Sequence, residues 1–265
     1  MAEGAPATDK SSRFRLTIVG CAPAYALRPG HAASCYLVES DDVGILLDMG
    51  QGAFAALGAY REPSTLRAVV VSHLHPDHMI DLVALRHYLS YGLDRPRSVP
   101  LHAPAELRVR IGALMGEEGF LDALPGQDLE PGTFQLGPLR VEARPVAHAL
   151  NSFGFRVTQA GAPERAPGLV YSGDCGRPED ILALVRRGDT LLCEASWGSS
   201  ETVAEEAAHL TARQAAEVAR DGGAARLILT HILDAHDPDG SAVLARTVFG
   251  GPVELATPGL AVDLG

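Results

Sequence analysis

Three things are scarce in this sequence, and each scarcity excludes a class of protein. No apolar stretch approaches the roughly 20 uninterrupted residues of a membrane span, and mean hydropathy is close to zero, so no membrane partner is expected. Basic side chains are outnumbered, with 22 Lys and Arg against 33 Asp and Glu and a net charge of −11. That balance argues against a broad footprint for long nucleic acid, which needs many Lys and Arg contacts to phosphates. It leaves room for a small anionic substrate held by a few local groups. Cysteine is limited to Cys21, Cys35, Cys175 and Cys193, with no CxxC pair. This is no disulfide framework, and it fits reduced thiols in a cytoplasm. The opening MAEGAPATDKSSR lacks the apolar core of a secretory signal; residues 1–12 are expected to form a disordered tail ahead of a domain over 13–265.

What is present is a chain of 265 residues, 46% apolar, which is enough to bury a substantial core. It has no internal repeat. Short apolar runs separated by turns predict strands at RFRLTIVG (13–20), SCYLVES (34–40), VGILLDMG (43–50), LRAVVVSH (66–73) and VPLHAP (99–104). Further strands are predicted at LRVEARPVAH (139–148), FGFRVTQ (153–159), GLVYSGDCG (168–176), DTLLCEAS (189–196) and RLILTH (226–231). Helices are expected over 80–91, over 105–124 with interruptions at Gly112, Gly116 and Gly119, and after Asp174 and His209. Strands apolar on both faces, alternating with helices in the second half, indicate an α/β fold with sheets inside and helices outside.

The chemistry concentrates in Ser72-His73-Leu74-His75-Pro76-Asp77-His78, directly after an apolar strand. In an extended segment His73, His75 and Asp77 would point to one side, and a turn at Asp77 and His78 would aim both at a common centre. Imidazoles with a carboxylate suit Zn²⁺, Mn²⁺ or Fe²⁺, and a solvated polar loop seldom concentrates histidine in this way. Other groups of the same chemistry close later apolar runs: His148 after LRVEARPVA, Asp174 after GLVYSG and His231 after RLILT. Each alone would pass as a hydrogen-bonded loop residue. At strand C-terminal ends, where open α/β sheets place ligands, they complete a donor set for a bridged pair of metal ions. His31, His87, His102 and His236 have no such spacing and read as surface or hydrogen-bonded residues.

His209 stands apart. Thr211 and Gln214 form a capping-box pattern, so His209 lies just before a helix N-terminus, where an imidazole could donate a proton to a leaving oxygen. Glu194, closing TLLCE, is the candidate carboxylate to orient it.

The order His73-x-His75-x-Asp77-His78, then His148, Asp174 and His231, resembles the binuclear signature of the metallo-β-lactamase superfamily. The resemblance implies an αββα four-layer sandwich with a hydrolytic site along one edge of the sheets. It implies that His73, His75 and His148 hold one divalent ion, that Asp77, His78 and His231 hold a second, and that Asp174 bridges them. Zn²⁺ is the foremost expectation, with Mn²⁺ or Fe²⁺ as alternatives.

GDCG (173–176), LLCEASW (191–197), HLTARQAAEVA (209–219) and LILTH (227–231) are similar to the phosphodiesterase branch around ribonuclease Z. Members of that branch use a Glu and a His, matching Glu194 and His209, to protonate the leaving oxygen. Ribonuclease Z carries a long tRNA-gripping arm between the ligands matching His148 and Asp174, whereas residues 149–173 here hold only two strands and a short turn. The better likeness is to compact actinobacterial members, the atypical class II cyclic-nucleotide phosphodiesterases. Two departures from those relatives are a first loop, Gly20–Tyr25, poorer in Gly and Ser, and Cys175 where Thr is common.

The expected function is therefore a binuclear phosphodiesterase acting on a 3′,5′-cyclic nucleotide. Metal-bound hydroxide would attack phosphorus with help from Asp77, and His209 with Glu194 would protonate the ribose oxygen. An RNA 3′-processing endonuclease, a lactonase or thioesterase, and a non-catalytic metal-binding module stay open as alternatives. The apolar helix over 80–91 could pair two copies in a homodimer.

Overall fold

Two-faced strands need cover on both sides, and the computed structural model supplies it with a sandwich of two sheets between helices. It describes residues 13–25, 28, 30–200 and 208–265; the expected tail over 1–12 lies outside the described residues. In chain order the strands are β1 (Phe14–Gly20), β2 (Cys35–Ser40), β3 (Val43–Leu47), β4 (Ala68–Val70), β5 (Leu101–Ala103), β6 (Gly126–Asp128) and β7 (Gly132–Leu136). They continue with β8 (Leu139–Pro145), β9 (Phe153–Gln159), β10 (Leu169–Tyr171), β11 (Thr190–Glu194), β12 (Arg226–Thr230), β13 (Val253–Leu255) and β14 (Ala261–Asp263). One sheet runs β14-β1-β2-β3-β4-β5-β6 and the other β13-β12-β11-β10-β9-β8-β7.

Alternation along the strands sorts their side chains into two layers of contact. Leu16, Ile18, Tyr36, Val38, Ile45 and Leu47 of the first sheet meet Val141, Phe155, Val157, Tyr171, Leu192 and Ile228 of the second in the inner core. Outward residues of the first sheet, such as Leu37, Leu46 and Val69, pack with residues of α1 (Ala53–Leu57), α2 (Pro76–Met79), α3 (Leu82–Tyr91) and α4 (Leu107–Met115). Outward residues of the second sheet, such as Leu191, Leu227 and Leu229, pack under α5 (Pro178–Leu182), α6 (Ala212–Gly222) and α7 (Pro238–Phe249). This is the expected αββα arrangement.

All ten predicted strands appear, most of them trimmed at their ends. The expected helix over 105–124 ends at Met115, because Gly116 turns left-handed at φ 65° and the chain continues in turns. β6, β7, β13, β14, α1 and α7 were not expected from the sequence. Among the described residues, no helix is long and apolar enough to cross a membrane.

The site follows from strand direction. β3, β4 and β5 are parallel neighbours in one sheet, and β10 to β13 are parallel in the other. β8 is antiparallel to β9, and β9 to β10, so β8 ends at the same edge as β10. The C-terminal ends of these strands are therefore gathered along one edge of each sheet, where ligand-binding groups collect in open α/β architectures.

Candidate metal centre

The segment after β4 does not stay extended. Pro76 fixes the backbone for a helical start, and the short α2 begins with His75 at its N-cap. Alternation therefore stops at His75, and the expectation that His73, His75 and Asp77 share one side is corrected. His73 and His75 join His148 and Asp174 in one group, while Asp77 and His78 join His231 in another. Asp174 also lies with His209 and His231.

The distances describe two clusters around one carboxylate. His75 Nδ1 is 3.1 Å from His73 Nε2 and 3.0 Å from His148 Nε2. His231 Nε2 is 3.0 Å from Asp77 Oδ2, and His78 Nε2 is 3.7 Å from the same oxygen. Asp174 Oδ2 is 3.5 Å from His78 Nε2 and 3.7 Å from the Nε2 atoms of His73, His148 and His231. Ligand bonds of 2.0–2.1 Å in a tetrahedron would separate donors by about 3.3 Å, which is the scale seen here.

The tautomers follow from what each ring bonds on its far side. His78 Nδ1–H donates to Asp48 Oδ2 at 2.7 Å, and His148 Nδ1–H donates to the Ala208 carbonyl at 2.7 Å. Ser72 Oγ donates to Asp48 and so accepts from His73 Nδ1–H at 3.1 Å. Ser196 Oγ donates to Glu194 and accepts from His231 Nδ1–H at 2.9 Å. Four Nε2 atoms are thereby left facing inward as acceptors. His78 Nε2 and Asp174 Oδ1 are buried with no hydrogen-bond partner. Acceptors brought this close together need a cation between them. The donor set fits divalent metal ions, with nitrogen and carboxylate ligands and no thiolate among them.

Electrostatics agree. Burial pushes His73, His75 and His148 below the ordinary imidazole pKa, which favours the neutral form that a metal ligand requires. Burial works against charge on Asp174 and Asp77. For Asp174 the neighbouring His231 and His78 outweigh it, and for Asp77 the His231 hydrogen bond and His78 do, so both carboxyls titrate below their usual range. His78 goes the other way: burial disfavours its charge, but Asp174 and Asp48 hold its pKa well above normal. These carboxylates demand positive charge at the spot that Nε2 faces.

The expected acid pair is also assembled. His209 Nδ1 lies 3.1 Å from Glu194 Oε1 and 3.8 Å from Asp174 Oδ2, with its side chain 25% exposed. Burial lowers the His209 pKa, but the hydrogen bond and charge of Glu194 outweigh it and raise the value. The fully buried Glu194 also accepts the backbone N–H groups of Cys175, Ser196 and Leu210, so it ties three segments of the site together. The capping box of Thr211 and Gln214 forms and starts α6 directly after His209.

Four residues of the site were not expected: Asp48, Ser72, Tyr171 and Ser196. Asp48 has φ 61° and accepts from Ser72 N, Ser72 Oγ, His78 and Tyr171. Only the clustering of Asp48 at the end of an apolar strand resembles the signal that revealed the ligands. Gly173, at φ 57°, makes the turn into Asp174, and a Cβ there would sit 2.6 Å from the Phe153 carbonyl. The other histidines lie apart from this donor set: His87 bonds the Val83 carbonyl, His102 stacks on Phe134, and His236 sits beside Trp197 and Ser200. His31 lines a cavity with Arg28, His231 and Asp234. All four cysteines are buried and unpaired.

Comparison with known proteins places this geometry. Residues 45–232 match the beta-lactamase superfamily domain. An uncharacterized protein of Mycobacterium leprae is 32% identical over 260 residues, covering 94% of this chain and 88% of that protein. A ribonuclease Z of Myxococcus xanthus is 28% identical over 308 residues, covering 96% and 98%. The crystal structure of the metallo-beta-lactamase fold protein YhfI from Bacillus subtilis superposes with a TM-score of 0.82 at 23% identity, covering 94% and 99%. The match runs from β3 to just past His231, through every candidate ligand position at the shared sheet edge, and the chain belongs to the metallo-β-lactamase superfamily as a metal-dependent hydrolase similar to ribonuclease Z.

Proposed function

We propose that residues 13–265 form a binuclear phosphodiesterase whose substrate is a small phosphodiester, a 3′,5′-cyclic nucleotide. His73, His75 and His148 would hold one ion and Asp77, His78 and His231 the other, with Asp174 shared, and Zn²⁺ is the ion best suited to this donor set. Bound there, the ions would polarise the phosphodiester and activate water toward phosphorus.

The observation that carries the reading is the pair His209 and Glu194. His209 keeps its proton because Glu194 accepts from Nδ1, and its ring reaches solvent beside Asp174. Water that has released one proton to solvent would add to phosphorus, the bond from phosphorus to the ribose oxygen would break, and that oxygen would take the proton from His209 as it leaves. Asp77, 3.0 Å from His231, accepts a hydrogen bond from the attacking water and aims it. Glu194 holds the His209 ring in place before and after it gives up its proton.

A small substrate is favoured by what fills the interval between His148 and Asp174. Residues 149–173 are taken up by a turn, β9, a second turn and β10. The net charge of −11 adds to this preference. A second reading, RNA 3′ processing, is favoured by the near full-length similarity to a ribonuclease Z. It would use the same acid pair.

Steady-state hydrolysis of 3′,5′-cyclic AMP by zinc-loaded protein tests the proposal, with His75→Ala as control. Turnover that the control abolishes is the expected result. Cleavage of a precursor tRNA by fully metallated protein that leaves the cyclic nucleotide intact would replace it with the RNA reading.

A further inference from the structure

The second ligand group draws on both sheets, with Asp77 and His78 after β4 and His231 after β12. Its geometry therefore depends on how the sheets are registered against each other. Two buried tyrosines cross that gap. Tyr171, ending β10, donates its hydroxyl to Asp48 Oδ2 at 2.6 Å in the first sheet. Tyr36, on β2, shares a 2.7 Å hydrogen bond with Thr230 Oγ1 in the second sheet, at the residue before His231. The two rings touch, with centroids 4.8 Å apart.

We propose that Tyr171 is a positioning residue for the second metal, acting through Asp48 on the ring of His78. The inference rests on the binuclear part of the reading above and not on the identity of the substrate. Asp48 Oδ2 receives Tyr171, His78 Nδ1 and Ser72 Oγ on one oxygen, all within 2.7 Å. With the phenol removed, that oxygen loses the one donor that the described residues supply from the opposite sheet, and the carboxylate is free to rotate about the bonds from the first sheet. His78 then loses its fixed Nδ1 partner, which orients the ring and sets the direction of Nε2. His73 is better insulated, because Ser72 is also pinned through its carbonyl, which accepts from Phe153 N at 3.0 Å independently of Asp48. His148 is held by the Ala208 carbonyl and does not depend on Asp48.

Tyr171→Phe removes the hydroxyl and keeps the ring contact with Tyr36. Metal-free protein is titrated with Co²⁺, following heat and the visible absorption of the bound ion. The first equivalent should bind the variant as it binds the parent. The second should bind about 10- to 100-fold more weakly, with an altered spectrum. Asp48→Asn, which keeps the side-chain size, should weaken the same equivalent. Thermal unfolding of the metal-free forms separates this from a packing role, since lost packing would lower the melting temperature while leaving both affinities alone. Two equivalents bound by Tyr171→Phe with parental affinities and spectrum would overturn the inference alone. A parent protein that binds fewer than two equivalents would overturn it together with the binuclear reading.

Discussion

The two ligand groups are built differently although they share Asp174. In the first, His75 sits at the exposed start of α2, and His148 hangs from a turn by one bond to the Ala208 carbonyl. In the second, Asp77, His78 and His231 are all buried; His78 Nδ1 ends on Asp48, which Tyr171 holds from the opposite sheet, and His231 Nδ1 ends on Ser196, which is tied to Glu194. His75 and His148 are set by local loop structure at the rim, while the ring of His78 is set by packing between the sheets. Strain follows the same division. Asp48 and His231 both hold left-handed backbone at φ 61° and 58°, a conformation that persists only where surroundings over-determine it, and both serve the second group.

The largest effect should erase the distinction between the groups. Asp174→Asn keeps the volume but removes the shared charge that His73, His78, His148 and His231 all approach. Bound metal should fall below one equivalent and turnover to the level of chelator-treated protein, as read by elemental analysis beside a rate assay. Retention of two equivalents would show that the groups do not depend on a common carboxylate. Next in size is a loss that leaves both groups filled. His209→Ala should lower phosphodiester turnover by about 10²- to 10⁴-fold, the usual contribution of a positioned general acid, at unchanged metal content. Equal loss of metal and rate would move His209 from proton donor to ligand, an outcome that its 3.8 Å approach to Asp174 makes worth measuring.

The contrast between the groups also explains what could be read in the sequence. Each ligand closes an apolar run or follows one closely, so His73, His148, Asp174 and His231 were visible from local pattern alone. The capping box at Thr211 identified the segment carrying His209 in the same way. What stayed hidden acts across the sandwich. Tyr171 and Ser72 look like ordinary strand-end residues until the other sheet is in place, and nothing within a few residues of Asp48 announces that four donors converge on it. The split between the groups came from the superfamily resemblance and not from local alternation, because Pro76 begins a helix where alternation was assumed. α7 was missed for a related reason: Pro238-Asp239-Gly240 reads as a turn, whereas Pro238 occupies the first turn of a helix capped by Asp237. β6 and β13 are three residues each, too short for a periodic signal.

The smallest predicted effect tests whether the buried group and the acid pair are one unit. Ser196 Oγ donates to Glu194 Oε2 at 2.8 Å and lies 2.9 Å from His231 Nδ1 and 3.2 Å from His209 Nδ1. One hydroxyl thus touches a ligand, the candidate acid and the carboxylate that orients the acid. Ser196→Ala leaves Glu194 with the backbone N–H groups of Cys175, Ser196 and Leu210, so the carboxylate stays in place and the fold should be unaffected. His231 loses its one far-side partner among the described residues, which should weaken the second ion by about 10-fold, at the low end for such contacts. His209 keeps its direct bond to Glu194 and should still deliver its proton. The rate should therefore recover when the metal concentration is raised, because the defect lies in occupancy. A rate that stays low at saturating metal would mean that the hydroxyl serves proton delivery, joining the acid pair to the buried group through a single serine.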